Sequence, residues 1–135
     1  MTKLRSSGLA GLLFLLSAAP TLAHHSFTSE FDANKKVVVS GVLTKLELVN
    51  PHSFIHVDVT DPQTGKVTSW LFQSHGPGTL RRMGLTRDAG FVGHHVTVEA
   101  YAAKDGSNFA WASKYTFDDG RVIQVYNPQE GQEGK

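Results

Sequence analysis

The sequence contains no cysteine, which excludes disulfides, thiolate metal sites, a cysteine nucleophile and a lipid-attachment cysteine. Beyond residue 24 no apolar run approaches the roughly 20 residues of a membrane helix, so no membrane anchor is expected in the mature form. A basic excess is missing too: 13 Lys and Arg stand against 12 Asp and Glu. Phosphate backbones demand such an excess, so nucleic acid is not an expected partner. There is no Gly-x-Ser-x-Gly elbow, and Ser53 beside His52 or Ser74 beside His75 is a chance-level juxtaposition. The Gly76-Pro77-Gly78 turn lacks the Lys-Ser/Thr of a phosphate loop and reads as a chain reversal. These absences argue against a hydrolase.

What is present begins with the N-terminal segment. Met1 to Ser7 carries Lys3 and Arg5 and no acid, Gly8 to Ala19 is apolar but too short to span a bilayer, and Thr21-x-Ala23 is a small-x-small site. The pattern is that of a secretory signal peptide over residues 1–23, cleaved after Ala23. Cleavage after Ala19 would leave Pro20 just past the cut, which suits signal peptidase badly. The mature chain would then start at His24 and work in the periplasm. Without Lys3 and Arg5 the 13 basic residues fall to 11 against 12 acids, a formal charge of −1 with histidines neutral. A single small domain of this length can bury one core unaided.

Residues 24–36 are polar with Phe27 and Phe31 and are expected to form an N-terminal arm that lies on the domain or pairs at its edge. From Val37 to Val49 the apolar phase runs 39, 43, then 46, 48, which requires a bulge near Thr44-Lys45 or a bend at Gly41 to keep one face inward. Ser53 to Val59 alternates, with Ile55, Val57 and Val59 on one face. The turn Asp61-Pro62-Gln63-Thr64-Gly65 leads into a third strand with Trp70 and Phe72 on one side. Thr79 to Met83 reads as a short helix with Thr79 as N-cap and Gly84 as its stop. Val96 and Val98 alternate in a fourth strand, Phe109 to Phe117 is a fifth, and Asp118-Asp119-Gly120 turns into a sixth at Arg121 to Tyr126. This order predicts a mainly β, OB-fold-like barrel of five to six strands over 37–126, with one short helix between strands 3 and 4. A β-sandwich is the alternative. Residues 127–135 have nothing to bury and are expected to be a flexible tail.

In order, His24-His25-Ser26-Phe27, Phe31-Asp32, Gly41, Asn50-Pro51-His52, Trp70, Leu80-Arg81-Arg82, Thr86-Arg87-Asp88, Val96-Thr97-Val98-Glu99, Lys104-Asp105-Gly106-Ser107 and Asp119-Gly120-Arg121 occur along the chain. In these motifs it resembles a family of exported bacterial proteins catalogued as domain of unknown function 6152. The resemblance covers nearly the whole mature domain and implies an exported single domain with no established activity. One departure is the turn before the helix, Ser74-His75-Gly76-Pro77-Gly78, where a Gly-Ser-Pro-Asn type turn is expected.

All seven histidines, His24, His25, His52, His56, His75, His94 and His95, follow the signal segment. With cleavage after Ala23, His24 offers a free α-amine and an imidazole to one ion. Further imidazoles would complete a nitrogen-rich tetragonal set that suits Cu(II), binds nickel more weakly and scarcely binds magnesium. The amine titrates near pH 8, so a metal displaces its proton readily at neutral pH. His25 and His52 are the expected partners of His24, because an arm ending near the first-to-second-strand corner brings them together. Asn50-Pro51-His52 reads equally as a structural corner, His56 as part of a solvated sheet face, and His94 and His95 as pointing to opposite faces. Copper is the one candidate cofactor. The competing functional readings are a metal-free interaction domain presenting a sheet face to an envelope protein or glycan, and a copper redox enzyme using the same residues.

Overall fold

The long first strand shows how this sequence closes a sheet on itself. In the computed structural model, which describes residues 27–126, β1 runs from Phe31 to Glu47 and is bent so that it serves two neighbours. Its first half pairs with β4 (His95–Ala103) from Val37 opposite Ala100 to Val42 opposite His95. Its second half pairs with β2 (His52–Thr60), down to Glu47 opposite Phe54. Gly41 lies where the two pairings meet, and a Cβ there would stand 2.3 Å from the Asp58 carbonyl oxygen. The register slips between Leu43 and Lys45, so Thr44 is a bulge. That extra residue returns Leu46 to the buried face shared by Val39 and Leu43, as the apolar phase requires.

β3 (Val67–His75) pairs antiparallel with β2, and β5 (Phe109–Phe117) with β4. A short parallel pairing, Leu71 to Gln73 alongside Phe109 to Trp111, joins β3 to β5 and closes a five-strand barrel. β6 (Val122–Gln124) adds to the outside of β5 through the Asp118-Asp119-Gly120 hairpin. The fold is mainly β and OB-like, with one short helix, α1, between β3 and β4. That helix spans Pro77–Arg82. Its N-cap is Gly76, not Thr79: Pro77, with its φ already helical, starts the helix earlier than the hydroxyl pattern suggested. Gly84 ends it at φ +96°, with the Leu85 amide donating to the Leu80 carbonyl at 2.9 Å, a Schellman closure.

Inside the barrel lie Leu43, Ile55, Val57, Phe72, Val96, Val98 and Tyr115, with Leu80 of α1 and Leu85 plugging one end. Val57, Val96 and Val98 are fully buried and Val59 packs partly buried against them. Each such aliphatic side chain contributes about 1.5–3 kcal/mol on leaving water. Pairing also reaches further back than the sequence pattern indicated. Phe31 stands opposite Ala103, and the register is irregular between Phe31 and Lys36, so residues 31–36 of the expected arm belong to β1. Residues 27–30 form a helical turn that leads into it. The signal segment 1–23, His24, His25 and the tail 127–135 lie outside the described residues. No helix among the described residues is long and apolar enough to cross a membrane.

Replacing Gly41 by alanine should destabilise the domain by about 1–3 kcal/mol, because the two atoms nearest the intruding methyl, the Asp58 carbonyl oxygen and carbon, are backbone and cannot swing aside. Denaturant midpoints of the two proteins measure this.

Candidate functional site

Strand alternation that fills the barrel with Ser53, Ile55 and Val57 turns His52, Phe54 and His56 outward. The same applies to β3, where Phe72 and Ser74 point in while Gln73 and His75 point out. Antiparallel register sets His52 directly opposite His75, and side chains so placed have Cβ atoms about 4.5–5.5 Å apart. Ser53 and Ser74 are fully buried on the other face of the hairpin. Neither serine therefore makes a nucleophile–base pair with its neighbouring histidine.

The outer face carries a second apolar cluster, built on Phe31, Ala103 and Trp111, with Phe27, Phe109 and Tyr126 packed against it. Trp111 is central to it. The β3–β5 pairing places Trp111 beside Gln73, and its ring meets His52 edge-on at 5.3 Å and His75 edge-on at 5.7 Å between centroids. Phe27 lies against the same indole at 5.7 Å, against Phe31 at 5.6 Å and against Tyr126 at 5.4 Å. Tyr126 in turn covers His75, with centroids 6.2 Å apart. Both ends of the described chain thus pack on the indole that the histidine pair shares, Tyr126 touching His75 directly and Phe27 reaching the pair only through Trp111 and Tyr126. The Trp111 Nε1 donor is buried and has no hydrogen-bond partner among the described residues.

Each imidazole is held by a different outer partner. His52 Nδ1 lies 2.8 Å from Nε2 of Gln73, a buried carboxamide. The Gln73 amide donating to Nδ1 puts the imidazole proton on Nε2; turning the amide over reverses this bond, so that Gln73 accepts from Nδ1–H and the Nε2 lone pair of His52 is free, the arrangement typical of a metal-bound imidazole. Burial pushes the pKa of His75 below its usual value of 6.5, the nearby His52 adds to that shift, and a hydrogen bond to the Val125 backbone opposes it. The result is a neutral His75 at neutral pH. Burial also raises the phenols of Tyr101 and Tyr126, so both stay neutral beside the pair at neutral pH. The pair is fixed at one corner: a Cβ on Gly76 would stand 2.9 Å from the Pro51 carbonyl oxygen and 3.1 Å from Asn50 Oδ1. Asn50-Pro51 before His52 and Gly76-Pro77 after His75 therefore pack as one unit, and the Asn50–Pro51 peptide is cis.

Of the expected ligands, His52 stands at this site and His24 and His25 lie outside the described residues. His75 was missed by sequence reasoning. Its signal was the hairpin itself, since counting outward from the Asp61-Pro62-Gln63-Thr64-Gly65 turn pairs Thr60 with Val67 and ends with His52 opposite His75. His56 lies elsewhere on the face and stands 3.4 Å from Glu47. His94, Asp118 and Asp119 form a second cluster whose ligand atoms lie within 4.8 Å of one another. Its donors are already engaged. Asp118 takes the His94 ring at 2.7 Å and the His95 amide at 3.1 Å, and Asp119 accepts from the Arg121 guanidinium at 2.6 and 2.7 Å. These bonds, led by His94 and Arg121 respectively, lower both carboxyl pKa values and fasten the β5–β6 turn.

The model of a family of unknown function, DUF6152, matches residues 13–114. No curated protein and no solved structure matches the chain.

A depressed histidine pKa makes folding pH-dependent with a definite sign. As the pH falls below 6.5 the unfolded chain takes up the His75 proton before the folded one does, so stability is full above that value and declines below it. Urea midpoints at neutral pH and well below 6.5 should therefore fall less in His75→Gln than in the parent.

Proposed function

The chain belongs to DUF6152, a family of unknown function, so membership brings no activity with it, and we propose that the protein is a small exported binding module that holds Cu(II) at the His52–His75 pair. The remaining ligands are the amine and imidazole of His24, freed by cleavage after Ala23, with His25 beside them. One observation carries this reading: two opposed imidazoles share an indole with Phe27, the first described residue. Only two residues separate Phe27 from His24, so His24 is tethered within about 10 Å of extended backbone. With Phe27 anchored, only the three residues 24–26 need to be ordered for the terminus to reach the site, at about 1–2 kcal/mol of backbone entropy each.

The donor chemistry agrees with the metal. Neutral imidazoles and an amine are nitrogen ligands of intermediate softness, and four of them in a tetragonal set favour Cu(II) over the other divalent first-row ions. No thiolate or thioether stands at the site to favour Cu(I). Gln73 and the Val125 backbone act as the outer partners that orient ligating imidazoles. The module is read as a binding or accessory protein, since the described site holds no acid–base pair outside the imidazoles.

The test compares protein beginning at His24 with protein carrying one extra residue before it, which blocks the amine of His24 and leaves every imidazole in place. Competition titrations should give at least about tenfold tighter Cu(II) binding for the processed form, equivalent to about 1.4 kcal/mol, with a changed electron paramagnetic resonance spectrum. His75→Ala in the processed form should weaken binding by a similar factor. Equal affinity and spectrum for the two N-termini would remove the amine from the site, and a metal-free interaction module would replace this reading.

A further inference from the structure

Leu80-Arg81-Arg82 and Thr86-Arg87-Asp88 play no part in the histidine site, yet both segments are rigidly mounted. Leu80 and Leu85 are fully buried in the barrel end, and Ala89 packs against the same core. Arg121 donates to the Ala89 carbonyl at 2.6 Å and lies with its guanidinium 4.0 Å from the Phe91 ring centroid, which pins the short 3-10 turn Arg87–Ala89. Between α1 and this turn is a cleft of about 500 Å³ lined by Leu48, Pro77, Arg81, Leu85, Arg87 and Asp88, with Thr86 at its side. That volume falls within the roughly 300–1,000 Å³ of small-molecule sites.

The charges of the cleft are unbalanced. Four arginines occur among the described residues. Arg82 donates to Thr79 Oγ1 at 3.0 Å, and Arg121 is bound to Asp119 and Ala89. Arg81 and Arg87 have no side-chain partner among the described residues, and both line this cleft. Asp88 lines it as well without an ion pair to either guanidinium, so the cleft carries a net charge of +1 above an apolar wall of Leu48, Pro77 and Leu85.

We propose that this cleft binds a small organic monoanion: a carboxylate held by Arg81 and Arg87, joined to an apolar body that lies against Leu48, Pro77 and Leu85. Guanidinium groups match the planar carboxylate and bind it with paired hydrogen bonds. Asp88 disfavours a doubly charged phosphate by adding a third charge of the wrong sign. The site is independent of copper, because its residues are not ligands and its occupant is not a metal.

Three probes separate charge from tail: octanoate, octan-1-ol and inorganic phosphate, titrated into protein beginning at His24 and followed by amide chemical shifts. Octanoate should shift Leu48, Leu85 and Thr86 saturably, while octan-1-ol and phosphate should bind at least about tenfold more weakly. An Arg81→Gln/Arg87→Gln variant, changed only at exposed positions, should lose octanoate binding by at least the same factor and keep its Cu(II) affinity. The proposal is overturned if octanoate gives no saturable shift at these residues, if octan-1-ol or phosphate binds as well, or if the double variant binds octanoate as the parent does.

Discussion

Three residues of β3 lying parallel to three of β5 close this barrel, and both faces of the protein depend on that closure. On the inner face it seals Phe72 and Ala110 into the core. On the outer face it sets Trp111 beside Gln73, and hence beside the opposed His52 and His75, two register positions further along the β2–β3 hairpin. Were this pairing absent, the hairpin would be an open edge, with unpaired backbone groups exposed to other chains. The indole would then have no reason to stand over two imidazoles. Closure is thus at once the source of the hydrophobic stability and the step that assembles the site.

Once Trp111 is in place, the ends of the domain follow. Phe27 and Tyr126 bury their rings against it and against each other. Aromatic pairs at these edge-on and tilted angles contribute about 0.5–1.5 kcal/mol each beyond their buried area, enough to hold a short terminal segment against its lost freedom. The same covering desolvates His75 and keeps it neutral. The His94–Asp118–Asp119 cluster shows the opposite design: exposed carboxylates saturated by local donors, whose lowered pKa values report a braced hairpin. Richness in ligand atoms is therefore a poorer guide than whether the lone pairs are free and the surroundings dry.

Much of the architecture was legible in the sequence because it follows from periodicity. The inward phase of β1, the bulge near Thr44 and the short helix between β3 and β4 all come from local alternation and turn chemistry. The helix start was misplaced since Thr79 looked like a cap, whereas Pro77 supplies the helical φ directly and leaves Gly76 as the cap. His52 could be singled out by its Pro51 corner. His75 could not be singled out by its neighbours, because its partner is across a hairpin and its environment comes from β5 and the segment after β6. The outer aromatic cluster was hidden for the same reason: the Phe27–Phe31 pair lies some 80 residues from Trp111 and further still from Tyr126, and no periodicity links the two groups.

The central claim is that one Cu(II) ion sits beside Trp111, and the indole itself can report it. The chain has two tryptophans, and Trp70 stacks on Phe72 against the main core, apart from the outer cluster. In a Trp70→Phe background, Trp111 fluorescence in protein beginning at His24 should be quenched with an end point at one equivalent of Cu(II), and His52→Ala/His75→Ala should abolish that end point. Emission that persists through one equivalent, or quenching that survives loss of both histidines, would contradict a copper site on this face.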